Sequence, residues 1–136
     1  MYNTTIKKLI EELSTIQALE TSIAEGYPDI LDGIEFTEDY GVDFRQTLEL
    51  EEQDFYINIK KIDEKTKNIK NYAVGLISRD KIINQLRHDD EDHHNSKKQV
   101  KEANPPHHKH EGKKERIKGS SGTLSDLIRD FKNILD

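Results

Sequence analysis

The sequence predicts an α+β domain: a curved antiparallel β-sheet of about five strands, flanked by an N-terminal and a C-terminal helix. Three observations predict it. Apolar residues recur at spacings of three and four near both ends of the chain. Between about residues 30 and 88 that spacing falls to two, and short polar turns separate the alternating runs. A length of 136 residues fits a single domain spanning 1–136.

The first element is a helix over residues 4–25, where Ile6, Leu9, Ile10, Leu13, Ile16, Leu19 and Ile23 fall on one face. Gly26 supplies its stop and Pro28 prevents it from resuming. The strands follow. "VDFRQTLELE" offers Val42, Phe44, Leu48 and Leu50, with a slip near Gln46 and Thr47 that suggests a bulge. "DFYINIKKI" alternates Phe55, Ile57 and Ile59 against Tyr56, Asn58 and Lys60. The turn "DEKTKN" leads into "IKNYAVGLIS", with Tyr72, Val74 and Leu76 on one side, and "SRDK" turns the chain again into "IINQLRH". Residues 89–113 have no periodicity and read as a long histidine-rich loop. A short strand, "KERIK", comes next. A final helix then opens at Thr123, with Asp126 at capping-box spacing and Leu124, Leu127, Ile128, Phe131 and Leu135 along one face.

Composition narrows the function classes. Hydrophobic residues make up 32% of the chain and charged residues 35%, against a typical charged share of about 25%, so one modest core is all it can build. The net charge of −6 and a pI near 5.5 provide no global basic field, so nucleic acid would have to be held by a local patch. The absence of cysteine excludes disulfides, thiol catalysis and thiolate metal sites. The start of the chain lacks the pattern of a signal peptide, and no apolar run approaches the roughly 20 residues of a membrane span. A cytoplasmic protein without membrane association is expected. No P-loop, dinucleotide glycine fingerprint, H-E-x-x-H or nucleophile elbow is present.

The chemistry-bearing residues form two clusters. One is "RHDDEDHH", Arg87 to His94; the other is "PPHHKH", Pro105 to His110. Imidazole exchanges protons near neutral pH and binds metals in its neutral form. Two uses follow. Without metal, one histidine takes the proton of an RNA 2′-hydroxyl and another protonates the leaving oxygen, Arg87 and Lys109 stabilise the phosphate, and Asp89 orients an imidazole. With a divalent metal, Asp89, His93, His94, His108 and His110 supply nitrogen and oxygen ligands, His108 and His110 sharing a face if the segment is extended. A histidine loop that is solvated and idle, or that scavenges metal, is the competing reading.

These clusters carry a resemblance. "RHDDEDHH", through Arg87, Asp89, His93 and His94, and "PHHKHEG", through Pro106, His107, His108, His110 and Gly112, are similar to two blocks of the TumE-like family of prokaryotic toxins. "GTLSDLIRDFKNIL" stands where that family has its final helix. His88 replaces an aromatic residue, Asp90 an Asn, and Glu91–Asp92 an Ala-Pro pair. The resemblance implies the toxin of a toxin–antitoxin module, neutralised by a cognate antitoxin protein of helix-turn-helix type and acting on RNA as an endoribonuclease; a homodimer stays open. Its site would comprise Arg87, Asp89, His93, His94, His107, His108 and His110, with His107 and His110 in a common cleft with Arg87. A small positive patch of Lys97, Lys98, Lys101, Lys109, Lys113, Lys114 and Arg116 would assist. No cofactor is required beyond an optional divalent metal. A non-enzymatic binding protein and a metal-dependent phosphoesterase are the alternatives.

Overall fold

The computed structural model describes residues 4–26, 41–80, 83–90, 107–112, 116–119 and 122–136. Two short helices, α1 (Ile6–Leu13) and α2 (Gln17–Gly26), precede strands β1 (Gly41–Glu49), β2 (Gln53–Ile62), β3 (Ile69–Ser78), β4 (Ile83–Asp89), β5 (His108–Glu111) and β6 (Arg116–Gly119). Helix α3 (Leu124–Leu135) closes the described chain. The strands form one sheet in the order β1-β2-β3-β4-β5-β6, each antiparallel to its neighbours. The architecture is α+β, an antiparallel sheet with helices from both ends of the chain.

Period-two patterning gives the sheet two unlike faces. Phe55, Ile57 and Ile59 of β2 are buried, and they pair across the ladder with Leu76, Val74 and Tyr72 of β3. The helix stripes close over this side: Leu9, Leu13, Ile16, Leu19, Leu127 and Phe131 join the same core cluster. Phe131 meets Phe55 edge to face, with ring centroids 5.2 Å apart at 83°. The opposite face carries Arg45, Thr47, Tyr56, Asn58 and Arg87, all exposed or half-buried. The β2–β3 hairpin is locked locally. Asp63 Oδ1 accepts the N–H groups of Lys65 and Thr66, both at 2.9 Å. These bonds hold the Asp63 carboxyl down at about 2.

Three sequence expectations change. The single helix over 4–25 breaks at Ser14–Ile16. The Ser14 hydroxyl donates to the Ile10 carbonyl (2.9 Å) and the Thr15 hydroxyl to that of Glu12 (2.6 Å), which ends α1 with side-chain bonds. The first N–H groups of α2, at Gln17 and Ala18, donate instead to the Asp136 carboxylate at 3.2 and 3.4 Å. The β1 irregularity falls between Gly41 and Phe44, and pairing is continuous through Gln46 and Thr47. Gln46 is thus a polar residue at an inward position. Finally, the sheet has six strands, because His108–Glu111 pairs as β5 inside what read as a loop over 89–113. Its apolar alternation is missing because Lys109 and Glu111 fill its inward positions.

Candidate functional site

Strand β4 ends in Arg87-His88-Asp89, and β5 begins His108-Lys109-His110. The register sets Arg87 opposite His110, His88 opposite Lys109 and Asp89 opposite His108. The two sequence clusters are therefore neighbouring antiparallel strands, and alternation deals their side chains to opposite faces.

On the open face, Asp89 is fully buried, and its Oδ2 has one hydrogen-bond donor and one imidazole at ion-pair distance. Arg87 Nε donates to it at 2.8 Å, and His110 Nε2 lies 3.2 Å away. A buried carboxylate that accepts from a guanidinium fixes its orientation, and its charge faces the imidazole. His110 is 7% exposed and the Arg87 side chain 25%, so the guanidinium is the more accessible of the pair. Arg87 also forms one wall of an open groove of about 380 Å³, lined further by Thr47, Asp54, Tyr56, Asn58 and Ile77. That volume lies within the range of small-ligand sites.

On the helix side, His88 is 2% exposed and packs against Phe131, centroids 5.8 Å apart. Its Nε2 lies 2.9 Å from Asp130 Oδ2 on α3, and Lys109 Nζ donates to the same oxygen at 3.1 Å. Burial would push the Asp130 carboxyl up, but His88 and Lys109 outweigh it and hold it at about 2. Burial likewise opposes the Lys109 charge, yet Asp130 and Glu111 raise its ammonium above the ordinary lysine value. An ionised carboxylate only accepts, so His88 Nε2 carries the proton in that bond.

His107 belongs to a third group. Its Nδ1 lies 3.0 Å from the Tyr72 hydroxyl inside the core, with the two rings 5.9 Å apart. Gly122, at φ +71°, passes so close that an added Cβ would sit 2.4 Å from the imidazole. Asp90 accepts the Tyr72 N–H at 2.9 Å, and burial raises its carboxyl to about 6.

The expected common cleft of His107, His110 and Arg87 is therefore not built. His107 turns to Tyr72, while His110 joins Arg87 and Asp89. Lys109, assigned to a substrate-facing patch, is instead tied to Asp130 and Glu111 at 3.1 and 3.2 Å. Its place opposite His88 in the β4–β5 register puts it on the helix side. His108 occupies the register position opposite Asp89. His93 and His94 lie outside the described residues, as do Lys97, Lys98, Lys101, Lys113 and Lys114. Among the described residues, no group of three or more His, Asp or Glu is placed to hold a metal ion.

Two residues at the groove were given no site role from the sequence. Tyr56 lines the groove, and Gly75 lies opposite it on β3. The signal was present: an aromatic at the outward phase of one strand and a glycine in the interior of the next.

Among the described residues, no helix is long and apolar enough to cross a membrane. Compared with protein-family models, with curated proteins and with solved structures, the chain matches none.

Proposed function

We propose that this protein is the toxin of a toxin–antitoxin pair and that it cleaves RNA from the open face of its sheet. One observation carries the reading: Asp89 joins Arg87 and His110 beside a polar groove. The resemblance of "RHDDEDHH" and "PHHKHEG" to the TumE-like blocks supplies the biological setting, including a helix-turn-helix antitoxin as partner.

In this reading Arg87 binds the scissile phosphate and stabilises the charge that grows on it. His110, beside the Asp89 carboxylate, removes the 2′-hydroxyl proton, and the resulting oxygen attacks phosphorus. The bond from phosphorus to the 5′-oxygen breaks, leaving a 2′,3′-cyclic phosphate and a protonated 5′-hydroxyl. His108, across from Asp89 in register, is the candidate for the second proton transfer. His93 and His94 complete the proposed site.

Purified protein should cleave RNA in the presence of a chelator. His110→Asn and Arg87→Gln should lose that activity while folding normally. A protein that folds, binds RNA and never cleaves it would contradict the reading. A second reading has its own support, because His108 and His110 stand two residues apart on β5 beside Asp89. A metal-dependent phosphoesterase would use Asp89, His93, His94, His108 and His110. Cleavage abolished by chelator and restored by a divalent ion would select it.

A further inference from the structure

We infer that the groove beside Arg87 seats one unpaired nucleotide of the RNA, with its base stacked on the Tyr56 ring. This rests on the proposal that the protein acts on RNA, and it names the form of RNA recognised.

The sheet register places Thr47, Tyr56, Gly75, Arg87 and His110 in one row across five adjacent strands. Gly75 is what opens that row. A Cβ there would lie 2.5 Å from the Tyr56 hydroxyl oxygen and 2.6 Å from Cζ, so the phenol leans over Gly75 towards β4. The ring thus lies on the sheet surface between its own strand and Arg87. Two strand spacings, roughly 10 Å, separate the backbones of Tyr56 and Arg87. A base on the ring would bring its phosphate towards the guanidinium.

The remaining walls suit the same occupant. Asn58 offers an amide that can hydrogen-bond a base edge, and Thr47 a hydroxyl. Asp54, the one carboxylate in the lining, is paired with Arg79 at 3.3 Å, which reduces its repulsion of a phosphate. Arg45, exposed on the same face, adds positive charge one row away. A duplex keeps its bases stacked inside the helix, so only an unpaired base can reach a ring lying on a sheet.

The test uses the cleavage-blocked His110→Asn chain and a short mixed-sequence oligoribonucleotide, either single-stranded or annealed to its complement. The single strand should bind and the duplex should bind far more weakly. Adding Tyr56→Leu should weaken single-strand binding about tenfold, the usual consequence of losing one stacking partner, whereas Tyr56→Phe should retain it. Gly75→Ala, which drives the phenol off its seat, should resemble Tyr56→Leu. Because these variants test folding as well, a thiouridine-substituted strand irradiated with the unaltered chain should crosslink within residues 54–60.

Equal affinity with Tyr56→Leu, equal binding of duplex, or crosslinks confined elsewhere would each overturn the inference. Its failure is separable from failure of the proposed function. Cleavage by Tyr56→Leu with an unchanged KM removes the nucleotide seat and leaves the nuclease. Tyr56-dependent binding by a chain that never cuts RNA does the reverse.

Discussion

The two sides of the β4–β5 ladder are made from the same kinds of residue, yet they differ in what covers them. On one side His88, Lys109 and Asp130 meet beneath helix α3 and satisfy one another. On the other, Asp89 and His110 lie against Arg87, whose side chain lines an open groove. Alternation along two strands assigned neighbouring residues to these separate tasks. A histidine's place in a motif therefore says less about its role than the parity of its position.

Substitutions should separate the two sides, and the largest effect is expected on the open face. On the proposed function, His110→Asn should lower RNA cleavage about 10²–10⁴-fold, the usual share of a positioned acid or base, and cost at most about 1 kcal/mol of stability. Initial cleavage rates beside a denaturant titration would check both halves. On the helix side, Asp130→Ala removes the shared acceptor of His88 and Lys109. It should destabilise by about 2–3 kcal/mol while leaving the cleavage rate of the folded protein within a few-fold. Urea midpoints read the first figure. His107→Phe keeps a ring against Gly122 but removes the bond to the Tyr72 hydroxyl, for a cost of about 1–2 kcal/mol measured in the same way.

A further effect concerns pH. The folded Asp90 carboxyl sits at about 6, above its ordinary 3.8, so its ionisation opposes folding above pH 6 and that penalty fades as pH falls towards 4. Asp130 has the opposite sign. Held at about 2, it contributes stability that is present above 3.8 and lost as pH drops through 2. Asp90→Asn, which retains an acceptor for the Tyr72 N–H, should be more stable than the natural chain at pH 7 and indistinguishable from it near pH 4. Melting temperatures across that range would show the two curves converging; parallel curves would remove Asp90 as the cause.

The helical stripes and β2 to β4 were legible in the sequence because burial there follows one clean period, as in Phe55, Ile57 and Ile59. The helix break was not legible. Leu13, Ile16 and Leu19 keep the apolar spacing across it, and the interruption comes from Ser14 and Thr15 bonding back to the backbone. Strand β5 was hidden for a different reason. Its inward position is filled by Lys109, whose burial is compensated by Asp130 on a helix far along the chain. Of the candidate site, Arg87, Asp89 and His110 were readable as residue types. That they would converge without His107 depends on register, which no spacing within either cluster specifies. The outward phase of Tyr56 was legible, but its approach over Gly75 depends on the β2–β3 register.

The most direct test compares cleavage of one RNA by the natural chain, His110→Asn and His107→Phe, each assayed below its own melting transition. Placement of the chemistry on the open face predicts that His110→Asn falls to background while His107→Phe keeps its rate within about threefold. Loss of cleavage in His107→Phe with activity intact in His110→Asn would contradict it and move the chemistry to the Tyr72 side of the sheet.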